Sequence, residues 1–285
     1  MKVRLSGIEQ SGRSPVRAVL TVFLIAAALT VLIAAQIYRL QAVGRSAAAI
    51  AMAADMDMRD TGKYWSFPIL QASGLVALAF AYVAALLGLW QAVGKSASLQ
   101  SARLERLHRH VSWVVVTLIL IHVLATALDA MGDNWRTVLI PGTWAKQGWP
   151  AAVTGYNTGI AAVYLLLLVG PTYYLRRMIG PIRWRIVHRA VAAFYVLSIW
   201  HAMILGLDLA YYTWMRPLIW LLQLPLLALL MIRLYRAAWA GSAGTCSANF
   251  VLRITCSTLF VVCAMAAIGL LLLVLSGRAG FIATV

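Results

Sequence analysis

Histidine is the residue type in this chain whose placement can do chemistry. Four of its five histidines fall as two pairs in two apolar stretches. His108 and His122 stand fourteen residues apart in residues 107–128, LHRHVSWVVVTLILIHVLATAL. His188 and His201 stand thirteen apart, in WRIVHRA and LSIWHAM. An imidazole inside a membrane is costly unless it is paired or ligated, so each is a functional-site candidate by default. Four at matched depth point to two metal centres stacked across a bilayer.

The elements that must hold them follow from composition. Hydrophobic residues make up 63% of the 285 and charged residues 11%, against roughly 25% charged in soluble domains. Apolar blocks of membrane-spanning length predict an all-α polytopic membrane protein with seven transmembrane helices. The spans are expected at about 18–38, 67–93, 107–128, 153–175, across the His188/His201 stretch, and at 212–232 and 254–276. Gly170-Pro171 should kink or end the fourth. The chain divides into 1–66 (first helix and external loop), 67–235 (the helices that carry the site) and 236–285 (a loop and an extra C-terminal helix).

The net charge of +16 sits beside the apolar spans, where topology control requires it. No soluble stretch is long enough for a nucleic-acid-binding domain. With the N-terminus inside and the C-terminus outside, one face carries sixteen of the 24 basic and two of the eight acidic residues. The balance is +14 against +2, so both histidine helices run from the cytoplasm outward. Cys246, Cys256 and Cys263 show no CxxC spacing, and neither zinc nor an Fe–S cluster is supported.

Haem suits this pattern. Separations of fourteen and thirteen residues are roughly 21 and 20 Å along a helix axis, within a hydrocarbon core of about 30 Å. One neutral imidazole from each helix gives two bis-histidine sites, His108 with His188 and His122 with His201. Two axial imidazoles leave no open position, which favours electron transfer over oxygen activation. Fourteen residues return to within roughly 40° of the same face, whereas thirteen miss by roughly 140°, so the second helix must depart from ideal geometry or offer its rings in different directions. Arg109, Arg183, Arg185 and Arg189 bracket the inner pair, either as partners for anionic propionates or as ordinary positive-inside residues. His110 lies about two-thirds of a turn off the ligand face and is left out of the set.

The two histidine helices, third and fifth in order, with His-x13-His and His-x12-His, resemble the ferric reductase-like transmembrane domain over about residues 67–235. The entries LHRHVSW and WRIVHRAVAAF fit that resemblance too. The superfamily includes the NADPH oxidases, the fungal ferric reductases and the haem subunit of bacterial methionine sulfoxide reductase. The resemblance implies a six-helix core with two haem b groups, the inner on His108/His188 and the outer on His122/His201. Electrons would pass from a cytoplasmic donor to an outer acceptor across what is expected to be a bacterial cytoplasmic membrane.

Family members with their own flavin and nicotinamide domain carry it after the sixth span, where this sequence has a short loop and a seventh span and no GxGxxG. The expected donor is therefore a separate flavoprotein, a quinol or free reduced flavin, and the expected role is an electron-relay oxidoreductase subunit with a periplasmic or external redox partner. Two rivals stand beside it. One is a single-haem subunit with bound flavin. The other is a non-redox transporter or assembly factor with histidine sites, which should show mid-membrane carboxylates; the expected spans contain none, since Asp129 and Asp208 fall at outer ends.

Overall fold

The computed structural model describes residues 15–51, 57–94, 99–130, 134–143, 150–239 and 246–276, and among these the regular elements are all helices. Trp144 and Trp149, expected in an interfacial loop, lie outside them, as does Asp55.

Among the described residues six helices are long and apolar enough to cross a membrane, or seven if one bent pair counts as a single span. α1 (Pro15–Ala42) is followed by the short α2 (Ala47–Ala51); α3 (Ser66–Val93) and α4 (Leu99–Ala127) form a long antiparallel hairpin. α5 (Trp135–Leu139) is one short helix closed by a capping box, in which Asn134 accepts from the backbone N–H groups of Arg136 and Thr137. α6 (Pro150–Val169) and α7 (Thr172–Ile179) are the bent pair, 44° apart. The break falls at Gly170-Pro171, where proline cannot continue the hydrogen-bond ladder.

α7 carries Arg176 and Arg177 in its last turn. Gly180 turns the chain with φ +86°, a conformation that disfavours any residue with a Cβ. Pro181 then opens α8 (Pro181–His188) at a position that needs no N–H donor. α9 (Val191–Leu205), α10 (Leu207–Tyr211), α11 (Met215–Trp239) and α12 (Cys246–Leu275) complete the chain.

Two helix pairs form the core, α3 with α4 and α6 with α9; α1 and α11 lie against α3, and α12 packs along α11. The pairs meet at a buried cluster of Ala81, Val115, Ala162 and Phe194, with Phe80, Ile119 and Leu165 around it. Val115 is midway between His108 and His122 along α4, and Phe194 is midway between His188 and His201. The apolar cluster therefore separates the two histidine levels. Much of the outer surface of α1, α11 and α12 is exposed leucine, isoleucine and valine, as lipid-facing helices require.

Candidate functional site

The four paired histidines come together as the spacing predicts. The rings of His108 and His188 have centroids 6.4 Å apart at 85°, and those of His122 and His201 are 6.1 Å apart at 88°. Two imidazoles bound on opposite sides of one metal at about 2.0 Å each, with ring centres roughly 1 Å further back, stand about 6 Å apart. Both pairs have that separation, so both fit a shared metal ion.

Three of the rings are aimed by the backbone. His108 Nδ1–H donates to the Ala84 carbonyl (3.0 Å), His122 Nδ1–H to Leu70 (2.9 Å) and His201 Nδ1–H to Gly155 (2.8 Å). A carbonyl can only accept, so the proton sits on Nδ1 and the Nε2 lone pair is left for a metal. These carbonyls already belong to helices, and each is reachable for the same reason. A side chain four residues on would lie over the carbonyl, and that residue is glycine in every case: Gly88 after Ala84, Gly74 after Leu70, Gly159 after Gly155.

A Cβ at Gly88 would lie 3.3 Å from the His108 ring, one at Gly74 3.0 Å from His122, and one at Gly159 2.5 Å from His201. Sequence reasoning missed these glycines. The signal was present, because Gly74 and Gly88 repeat the fourteen-residue interval of the histidines they face, and Gly155/Gly159 form a G-x-x-x-G of the kind that lets membrane helices approach closely.

His188 is the exception. It has no such carbonyl partner among the hydrogen bonds described, and stacks on Trp184 at 5.0 Å and 23°. Its helix also resolves the rotational mismatch. Between α8 and α9 the N–H groups of Arg189, Ala190, Ala192 and Ala193 bond three residues back, to Ile186, Val187, Arg189 and Ala190. Each residue in such a tight turn rotates about 120° instead of about 100°, so roughly five of them recover ~100° of the ~140° shortfall. Both histidine helices then present their rings with the same residual of ~40°.

The expected anion partners divide. Arg109 donates to the Tyr173 hydroxyl at 3.3 Å. Arg183 and Arg185 are exposed, and Arg185 bonds the Pro181 carbonyl of its own helix. Arg189 lies within electrostatic reach of Arg233 on α11, a residue the sequence reading had not singled out. Two guanidinium groups held near one another suit an anion between them. Near the outer end, Arg216 is 6% exposed and donates to the Met203 carbonyl, two residues past His201. The indole N–H groups of Trp184 and Trp220 are buried without a hydrogen-bond partner among the described residues. His110 is buried on α4, roughly 160° around the helix from His108 and roughly 120° from His122.

Searches among curated proteins and among solved structures find no match. Residues 73–199 match the family model described as ferric reductase like transmembrane component. That segment runs from within α3 into α9, includes His108, His122 and His188, and ends two residues before His201. Domains of this kind generally bind haem and serve transmembrane electron transfer. By fold, by spacing and by this match, the histidine-bearing core of the chain, residues 73–199, is similar to the ferric reductase like transmembrane components.

Proposed function

We propose that this integral membrane protein is a dihaem b-type cytochrome that moves electrons from a donor at its basic, cytoplasmic face to an acceptor outside. His108 and His188 hold the inner group, and His122 and His201 the outer. The observation that carries this reading is the matched pair of ring separations, 6.4 and 6.1 Å, at two depths of the same helices.

Haem, when bound, supplies a one-electron ferric/ferrous couple. The chain's own residues do the rest. Each imidazole pair would hold one group through two nitrogen donors, which suits electron transfer better than binding of oxygen or substrate. The carbonyls of Ala84, Leu70 and Gly155 fix the tautomer and orientation of three rings. The cluster around Phe194 keeps water from the space between the two levels. Arg109, Arg189 and Arg233 offer positive charge at the inner end, and Arg183 and Arg185 add to it at the surface. The role is that of a relay subunit, with a separate flavoprotein or quinol as donor and an external redox protein as acceptor.

A reduced-minus-oxidised spectrum with a pyridine haemochrome count tests the reading. Two b-type groups per chain are expected, whereas one would favour a single-haem subunit with flavin. No Soret band in protein produced with ample haem would return the histidines to a non-redox role. Replacing His122→Ala or His201→Ala should remove the outer group and leave the inner largely intact. Loss of both from a folded protein would break the pairing.

A further inference from the structure

The inner pair differs from the outer in what touches it. A run of aromatic rings leads away from His188 to the surface of the α7–α8 corner. Trp184 stacks on His188 at 5.0 Å, Tyr173 meets Trp184 at 6.1 Å, and Tyr174 meets Tyr173 at 5.4 Å. Trp113 of α4 joins the outer end, 6.1 Å from Tyr174, with its indole N–H donating to the Tyr174 hydroxyl at 3.0 Å. Exposure falls inward along the run. Tyr174 is 61% exposed, whereas Trp184 is partly buried and its ring nitrogen wholly so.

We propose that the α7–α8 corner is where electrons come in, along Tyr174, Tyr173 and Trp184 to His188, and that the arginines around it select an anionic electron donor.

Three observations carry this. First, the rings are in edge or face contact at every step, so no gap through empty space interrupts the route. An interfacial aromatic belt anchors a helix without needing such contacts, and nothing in belt formation requires it to end on a half-buried histidine. Second, His188 is the one paired histidine that lies against an aromatic ring where the others bond a carbonyl. Third, the surface is strongly basic. Arg176 lies 4.1 Å over the Tyr173 ring, Arg109 donates to its hydroxyl, and Arg177, Arg183 and Arg185 are exposed beside them. Residues 170–207 contain no acid. Such a field raises the local concentration of anions and their rate of encounter.

The step balances simply. With haem held by His108 and His188, the donor would give up one electron and the ferric group would take it up, with no bond or proton of the chain moving. The rings serve as bridges between the two.

The proposal rests on the dihaem reading, and the experiment separates the two. Full-length protein in lipid nanodiscs is mixed with photoreduced flavin mononucleotide, an anionic donor, and haem reduction is followed by stopped flow. Haem count, midpoint potentials and the electron paramagnetic resonance signature of the ferric state are recorded for each variant. Trp184→Leu is expected to slow reduction by about tenfold or more, and Trp184→Phe, which keeps a ring, to stay near wild type. Haem content and resonance signature should be unchanged in both.

Arg176→Gln with Arg177→Gln should flatten the salt dependence of the rate. If Trp184→Leu does not load haem, Tyr173→Leu, one ring further out, gives the same comparison. Reduction of a fully loaded Trp184→Leu or Tyr173→Leu variant at the wild-type rate would overturn the proposal. So would a slower rate accompanied by an altered resonance signature or potential, which assigns Trp184 only to orienting His188. Wild-type protein without a haem spectrum would instead remove the reading beneath it.

Discussion

Three of the paired histidine rings reach carbonyls that lie inside helices, and a glycine one turn further along opens the way in each case. The contacts differ in tightness. A methyl group on Gly159 would press on the His201 ring at 2.5 Å, on Gly74 against His122 at 3.0 Å, and on Gly88 against His108 at 3.3 Å. Gly159→Ala should therefore displace His201, cost about 1–3 kcal/mol of stability through overpacking, and reduce the haemochrome count from two to one. Gly88→Ala should keep both groups, since the ring need give by only a few tenths of an ångström. A Gly159→Ala protein with both groups intact would show that the rings can be seated without this window. The histidines were legible in the sequence because imidazole in an apolar run is rare and costly. The glycines were not, because their meaning depends on which helix faces which.

At the scale of elements, the α8–α9 junction and α10 show how short irregular pieces serve the long helices. The three-residue hydrogen bonds at Arg189–Ala193 rotate His201 back onto the face of His188, a correction that spacing alone required without indicating its form. α10 brings Asp208 into a buried position at the far end of α9, next to Tyr212. Burial pushes its pKa from 3.8 up to about 6. Because the folded-state value lies above the unfolded one, the protonated carboxyl suits the fold. Stability is fullest below about pH 4 and falls as the pH rises through about 6, by at most roughly 3 kcal/mol. Thermal unfolding in detergent across that window should show the decline, and Asp208→Asn should remove it. A decline of equal size in Asp208→Asn would place its origin elsewhere. The same carboxylate sits outside the candidate spans, as does Asp129, which accepts from the Ser66 hydroxyl at 3.2 Å.

For the whole molecule, the five histidine-bearing and histidine-seating helices, α3, α4, α6, α8 and α9, form a unit, and among the described residues α12 packs along α11. Removal of residues 240–285 should accordingly leave the haem count and the separation of the two potentials unchanged. Loss of either group on truncation would give α12 a part in assembling the core. The basic end of the bundle carries the α7–α8 corner, and the polar ends of α1, α2 and α10 gather at the opposite end around Met58, Tyr64 and Phe67. The two faces thus differ in chemistry, one positively charged and ring-lined, the other a buried mixture of amide, hydroxyl and carboxyl groups that includes Gln41, Ser66 and Asp208.

The amino-acid sequence by itself determined the helical membrane class, the order of the spans, the break at Gly170-Pro171 and the two histidine levels. Each of these follows from local quantities: hydropathy over about twenty residues, proline's missing N–H and a fixed rise per residue. Tertiary structure decided which carbonyls fix the histidine tautomers, that glycines make those carbonyls reachable, and that an aromatic run joins His188 to the surface. Those features depend on contacts between residues far apart in the chain, such as Leu70 with His122 and Tyr173 with Arg109. No periodicity within a single helix can encode a partner that another helix supplies.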